Sequence, residues 1–258
     1  QMVEANSKIR IQGVRKQFGS KVVLDAFNLD IAKGESMVVI GGSGVGKSVM
    51  LKCLLGILTP DSGSIKIDGE EIIGMNAGGR SRINDRIGML FQMAALFDSQ
   101  PIWENVAFGL LARGIPRAEA KEIALAKLAL TGLGSEVLDL YPNSLSAGMR
   151  KRAGLARAIA TNPDIIFFDE PTTGLDPIMG DIINDLILHC VKETGATTMT
   201  ITHDMQSARK ISDKIAMMYN GNIIWVGTTE DIDKSSNEYV QQFIHGHIDG
   251  PIKATAQV

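Results

Sequence analysis

Residues 37–48 read Met37-Val38-Val39-Ile40-Gly41-Gly42-Ser43-Gly44-Val45-Gly46-Lys47-Ser48, and this stretch decides the fold. Its four leading apolar residues predict a short buried strand. The next eight match the phosphate-loop pattern GxxxxGK[ST], and residues 48–58 beyond them carry helical apolar spacing. Phosphate chemistry asks for that order. Glycines let the backbone wrap close to a polyphosphate and turn its N–H groups inward. The helix N-terminus adds partial positive charge. Lys47 supplies a point charge for outer phosphates, and the Ser48 hydroxyl suits a Mg²⁺ ligand. A bare glycine-rich turn, the bland alternative, leaves the flanking strand and helix unexplained.

Working outward, Ile165-Ile166-Phe167-Phe168-Asp169-Glu170 predicts a strand buried on both faces that ends in two acids. Carboxylates at the carboxyl edge of a parallel sheet lie where open α/β sheets bind ligands. Asp169 suits the Mg²⁺ shell, directly or through water, and Glu170 suits a general base on an attacking water. His203 follows an apolar strand at 198–202 and precedes Asp204, again at a sheet edge. Leu145-Ser146-Ala147-Gly148-Met149 opens an arginine-rich helix to Ala160, with Ser146 as N-cap and Gly148 leaving first-turn amides uncovered. That pattern reads equally as a grip on a terminal phosphate or as an ordinary capped helix.

The rest of the chain supplies the frame. Alternation at Ile9 and Ile11, at Phe27, Leu29 and Ile31, and at Ile65 and Ile67 before Asp68-Gly69 predicts an N-terminal antiparallel β subdomain. Strands at 37–40, 165–168, 198–202 and 215–218 alternate with helices at 48–58, 180–194 and 205–211. That alternation predicts α/β architecture with a parallel-sheet core. Asn220-Gly221 predicts a second hairpin. After a strand at 89–91, helices at 104–112, 117–130 and 146–160 follow without a strand between them, which predicts an inserted helical subdomain. The expected division is a nucleotide-binding core at 7–92 and 161–228, a helical subdomain at 93–160 and a tail at 229–258.

Composition narrows the partners. A formal net charge of −3 gives no basic field for nucleic acid, and every apolar run is strand-length, below the roughly 20 residues a membrane helix needs. Residues 1–8 are polar with no signal-like segment, and the opening Gln suggests a trimmed start. Cys53 and Cys190, without CxxC spacing, read as reduced core thiols. His189 reads as packing or surface. His245 and His247 lack a third ligand and read as exposed tail residues.

The phosphate loop, Gln92 at a strand end, residues 145–149, residues 165–170, Gly174-Leu175-Asp176 and His203 occur in the order found in ATP-binding-cassette (ABC) ATPases. The chain resembles that family over nearly its whole length. The resemblance implies a P-loop NTPase fold, Mg-ATP as ligand, and ATP hydrolysis coupled to transport. Gly41, Gly42, Ser43, Gly44, Val45, Gly46, Lys47 and Ser48 would hold the phosphates. By the same resemblance Phe18 stacks on adenine, Gln92 senses Mg²⁺ and couples to membrane subunits, and His203 contacts the γ-phosphate. Ser146, Ala147, Gly148 and Met149 would complete the opposite protomer's site in a head-to-tail homodimer, with Asp176 at the interface. Ala147 and Met149 depart from the usual Leu-Ser-Gly-Gly-Gln signature. An Ala there is unstrained only if its φ is negative.

Within the family, residues 89–103, 149–153, 176–178 and 242–251 look most like the ATPase of phospholipid-trafficking systems built on mammalian-cell-entry (MCE) proteins, the Mla type. That likeness implies an integral-membrane permease, an MCE-domain protein and a small STAS-domain subunit as partners, on the cytoplasmic face of a bacterial inner membrane. The tail at 238–243 would dock on a neighbour or fray. A small-solute importer ATPase shares every motif. A soluble cassette acting on ribosomes or DNA is disfavoured by the single cassette and the absence of a long heptad run.

Overall fold

The computed structural model describes residues 6–42 and 44–253, so Ser43 of the phosphate loop lies outside the described residues. Strands β1 (Ser7–Phe18) and β2 (Lys21–Ala32) pair antiparallel. Strand β3 (Ser36–Ile40) runs into the phosphate loop and helix α1 (Lys47–Leu54). Strands β4 (Ser62–Ile67) and β5 (Glu70–Glu71) complete a four-stranded antiparallel sheet in the order β2-β1-β4-β5. Helix α2 (Ala77–Asn84) leads to β6 (Ile87–Leu90). Three helices follow without a strand: α3 (Ile102–Ala112), α4 (Arg117–Leu130) and α5 (Ala147–Ile159). The chain then returns to the sheet through β7 (Ile165–Asp169), α6 (Pro177–Thr194), β8 (Thr197–Thr202), α7 (Met205–Ile211), β9 (Lys214–Tyr219) and β10 (Asn222–Thr228), and ends in α8 (Glu238–His245).

The second sheet has the order β10-β9-β3-β8-β7-β6, parallel except for β10. Both of its faces are covered, and the side-chain period of two sorts its residues cleanly. Met37, Val39, Ile165 and Phe167 enter a core shared with α1 and the antiparallel sheet. Val38, Ile40, Ile166 and Phe168 enter a core shared with α5, α6, α7 and α8. Each fully buried Phe in that pair contributes about 1.5–3 kcal/mol. Cys53 and Cys190 are buried and free, one in each core. The insertion has its own core of Trp103, Val106, Leu110, Leu128 and Val137 with one face of α5.

Both hairpin signals hold. Asp68 and Gly69 (φ 49° and 79°) and Asn220 and Gly221 (φ 48° and 77°) are left-handed pairs, as a two-residue turn matched to strand twist requires.

Three expectations change. Helix α1 stops at Leu54, four residues short of the expected 58, because Gly56 turns left-handed (φ 75°) and ends it. Strand β6 is Ile87–Leu90 rather than 89–91, and Phe91 leaves the sheet half-exposed. The tail at 238–243 neither frays nor leaves its apolar face open. It forms α8, capped by the Asn237 side chain, and buries Val240 completely against this chain's own core. Within it, Gln242 donates to the His247 and Ile252 carbonyls (3.2 and 3.0 Å) and accepts from the Ile252 N–H (2.7 Å), which folds 247–252 back on the helix.

Candidate functional site

Strand β8 lies between β3 and β7, so the carboxyl ends of these three strands deliver the phosphate loop, His203 and the acid pair side by side. Strand β6, next along, delivers Gln92. A cavity of about 510 Å³ opens there, lined by Lys47, Ser48, Gln92, Asp169, Glu170 and His203. Phe18, at the end of β1, forms its rim with the ring 45% exposed and the Lys16 ammonium 5.3 Å from the ring centroid.

Two glycines let the loop take this path. A Cβ at Gly41 would meet the Met218 carbonyl oxygen at 2.7 Å. Gly46, the residue before α1, has φ 104°, and a Cβ there would meet Met218 Cε at 2.9 Å and the Val23 carbonyl at 3.0 Å. Gly44 and Gly46 line the cavity. Gly41, Gly42 and Val45 shape the loop without lining it. The Val45 carbonyl accepts from the Gly221 N–H at 3.2 Å, tying the loop to the β9–β10 turn.

Charges in the cavity are interlocked. Lys47 is buried. Its Nζ donates to the Gly41 carbonyl at 2.6 Å and lies 3.3 Å from Glu170 Oε1. His203 Nδ1 lies 3.0 Å from Glu170 Oε2, and the Thr173 hydroxyl donates to that oxygen at 3.1 Å. Burial pushes the Glu170 carboxyl up, but Lys47 and His203 outweigh it and hold Glu170 below its ordinary range. Asp169 moves the other way: burial, then the charge of Glu170, raise it above its ordinary value. Burial lowers Lys47, with Glu170 and Asp169 opposing. The two neighbouring acids are thereby pushed apart, which marks sites built for chemistry.

Glu170 also sits in a left-handed backbone conformation (φ 46°). For a non-glycine residue this stores about 1–3 kcal/mol of strain. Its N–H is held by the Ile201 carbonyl at 2.9 Å.

Apart from Gly41, Gly42 and Val45, which shape the loop, the described sequence-derived residues fall into two sets. Phe18, Gly44, Gly46, Lys47, Ser48, Gln92, Asp169, Glu170 and His203 meet around one cavity. Ser146, Ala147, Gly148, Met149 and Asp176 are not among the described residues that line it. Ser146 caps α5, its Oγ accepting from the Met149 N–H at 3.2 Å, so one first-turn amide expected to be uncovered is in use. Ala147 opens the helix and is absent from the left-handed residues, so it carries no strain. Asp176 Oδ1 accepts from the N–H groups of Ile178 and Met179 at 3.0 and 2.9 Å, capping α6. His189 is exposed on α6, and the exposed His245 and His247 rings stack at 5.4 Å.

Sequence reasoning missed Lys151. It is only 5% exposed, and its Nζ donates to the backbone carbonyls of Gln92 and Glu170. The available signal was its helical phase: it lies three residues before Gly154 and seven before Ala158, on the face α5 buries.

The family model described as "ABC transporter" matches residues 24–173. The chain is 40% identical over 245 residues to the probable ribonucleotide transport ATP-binding protein mkl of Mycobacterium leprae, covering 95% of this chain and 70% of that protein. It is 36% identical over 246 residues to the intermembrane phospholipid transport system ATP-binding protein MlaF of Haemophilus influenzae, covering 95% and 93%. Among solved structures, the dimeric post-hydrolysis cassette MJ0796 bound to ADP and Pi superposes with a TM-score of 0.77 at 30% identity, over 86% of this chain and 98% of that one. Fold, motif order and relatives agree: the chain belongs to the ABC transporter ATP-binding family and is an ATPase.

Proposed function

We propose that this ATPase binds Mg-ATP in the 510 Å³ cavity, uses Glu170 as the base on the attacking water, and drives phospholipid trafficking between two membranes. The observation that carries the chemistry is the Lys47–Glu170–His203 chain of contacts at 3.3 and 3.0 Å. Lys47 and His203 hold the Glu170 carboxylate until a polyphosphate competes for them. Phosphate binding then draws Lys47 and His203 away, leaving a carboxylate held in place by its backbone and by Thr173. Phe18 stacks on the adenine, and the N–H groups of the loop and α1 cradle the phosphates.

Mg²⁺ fits the donor set. Ser48, Gln92 and Asp169 line the same cavity, and Asp169 is raised by burial and then by its neighbour's negative charge, the second of which a cation relieves. No group of three His, Cys, Asp or Glu among the described residues could hold a metal alone. Hard oxygen donors completed by phosphate and water are the Mg²⁺ pattern. When bound, the ion neutralises charge on the transferring phosphoryl group.

Residues 146–149 and Asp176 lie off this cavity, which supports a head-to-tail homodimer in which each protomer's α5 N-terminus closes the partner's site. A second cavity of about 370 Å³, with Phe91, Phe97 and Phe108 on its wall, lies where β6, the following loop and α3 meet. It suits an apolar segment of an integral-membrane permease, linked through the loop to Gln92. No helix among the described residues is long and apolar enough to cross a membrane. In this reading the chain is peripheral on the cytoplasmic face of an inner membrane, with MCE- and STAS-domain partners. Residues 7–92 with 161–228, 93–160 and 229–258 are its working units.

Similarity to MlaF over nearly that protein's whole length supports the lipid cargo. Similarity to mkl, named for ribonucleotide transport, favours a solute importer as the second reading. The test is to purify a tagged Glu170→Gln chain from native membranes in mild detergent and identify co-purifying proteins by mass spectrometry. A permease with an MCE-domain protein is expected. A solute-binding protein with an importer-type permease overturns the lipid assignment.

A further inference from the structure

Helix α5 holds the loop after β6 at three successive points. Lys151 Nζ donates to the Gln92 carbonyl. Gly154 lets the loop touch the helix: a Cβ there would meet Leu90 Cδ1 at 2.9 Å and Ala94 Cβ at 3.2 Å. The Arg157 guanidinium donates to the carbonyls of Ala94 and Ala95, the latter at 2.9 Å. Ala94 and Ala95 are both left-handed (φ 61° and 50°), a pair of strained residues that needs such support. Residues 151, 154 and 157 recur every three positions on one face of the helix.

Lys151 does one thing the others do not. Its ammonium also lies 3.4 Å from the carbonyl oxygen of Glu170, itself a left-handed residue. A single buried cation thus joins the peptide groups of the cavity's glutamine and of its catalytic carboxylate. It does so from the helix whose first turn, capped by Ser146, does not line that cavity.

We propose that Lys151 is a positioning residue for hydrolysis: it fixes the backbone of Glu170 and links it to α5 and to the Gln92 loop. Lys151 touches neither nucleotide nor attacking water and acts through Glu170, so the inference rests on the reading of Glu170 as the base. A lysine that merely anchored α5 would lower stability without altering the chemical step selectively. A lysine that positions Glu170 sets kcat.

The experiment compares the full chain with Lys151→Met, Lys151→Gln, Glu170→Gln and the Lys151→Met/Glu170→Gln double variant, using ATP-binding titrations, steady-state kinetics and single-turnover hydrolysis of radiolabelled ATP. Lys151→Met keeps the length of the stem and loses the donors. It is expected to lower kcat by about 10²-fold, as small misplacements of reacting groups do, with KM for ATP within about threefold. Lys151→Gln, which restores a donor without the charge, is expected to recover most of that loss. In the Glu170→Gln background, Lys151→Met is expected to cost nothing further, because residues acting as one unit are not additive. An unchanged kcat in Lys151→Met overturns the inference. So does a loss that multiplies with that of Glu170→Gln, or one that falls on kcat and ATP affinity alike together with the melting temperature. If Glu170→Gln alone keeps full turnover, the base assignment itself has failed, and that result is separate from the others.

Discussion

The Lys47 ammonium lies 3.3 Å from Glu170 Oε1, joining the loop after β3 to the end of β7 across the strand between them. The phosphate-loop lysine and the carboxylate neutralise each other, and both are largely buried. In the proposed function ATP phosphates compete with Glu170 for Lys47, so the two members of the pair have separable signatures.

Replacing Glu170 by Gln keeps the shape and removes the proposed base. ATP affinity is expected to stay within a few-fold of wild type, or to tighten as the competing carboxylate is lost. Turnover is expected to fall by about 10²–10⁴-fold, the usual worth of general-base catalysis. Fluorescent-nucleotide binding and phosphate release measure the two quantities. Near-normal release would move the base elsewhere.

Replacing Lys47 by Ala acts on binding itself. A hydrogen bond to a charged group is worth about 1.5–3 kcal/mol, so the Kd for ATP is expected to rise about 10–100-fold. Isothermal titration checks this, and unchanged affinity would sink the phosphate-loop assignment.

Phe18 tests the base-binding end of the cavity. Stacking of a nucleobase on an aromatic ring contributes about 1–3 kcal/mol, so Phe18→Ala is expected to weaken ATP about 5–100-fold while Phe18→Tyr leaves it near wild type. Tripolyphosphate, which has no base, is expected to bind both variants equally. A loss of tripolyphosphate binding would mean the substitution disturbs the loop instead.

Acid lability is expected from a different cluster. Lys8 donates to Asp68 Oδ2 at 2.9 Å and Asp164 Oδ2 at 2.7 Å, and Arg86 donates to both carboxylates, tying the antiparallel sheet to the strands of the parallel one. Burial works against both acids, but Lys8 and Arg86 outweigh it and hold them below the ordinary carboxyl range. A depressed folded-state value means the unfolded chain binds more protons. This stability is therefore present above the ordinary value of about 3.9 and lost as pH falls through the lowered ones. Urea unfolding at pH 7 is expected to show Asp164→Asn less stable than wild type by about 1 kcal/mol, since these side chains are partly exposed. The gap is expected to close as pH falls below about 3.9 and through the lowered values; a gap that widens would reverse the sign.

Much of this was legible residue by residue. Alternation gave the antiparallel strands, short continuous apolar runs gave the buried parallel ones, and Asp68-Gly69 and Asn220-Gly221 gave the turns, because left-handed pairs leave few choices of residue. The lengths of α1 and β6 were misjudged where apolar residues ran past the element: 55–58 continue the pattern of α1 beyond the point where Gly56 has turned the chain. Helix α8 was not anticipated because its apolar face becomes intelligible only against the core it covers, which is assembled from residues up to 200 positions away.

By itself, the sequence determined the phosphate-loop fold, the acid pair and the histidine at strand ends, because local patterning and motif chemistry do not need the third dimension. Only the tertiary structure decided that β8 separates β3 from β7, and hence that Lys47 meets Glu170 while His203 stands beside it. Only the tertiary structure also decided that Lys151 turns inward to two backbone carbonyls. Strand order and the partners of a buried charge depend on residues far apart in the chain, and no local pattern encodes which of them will meet.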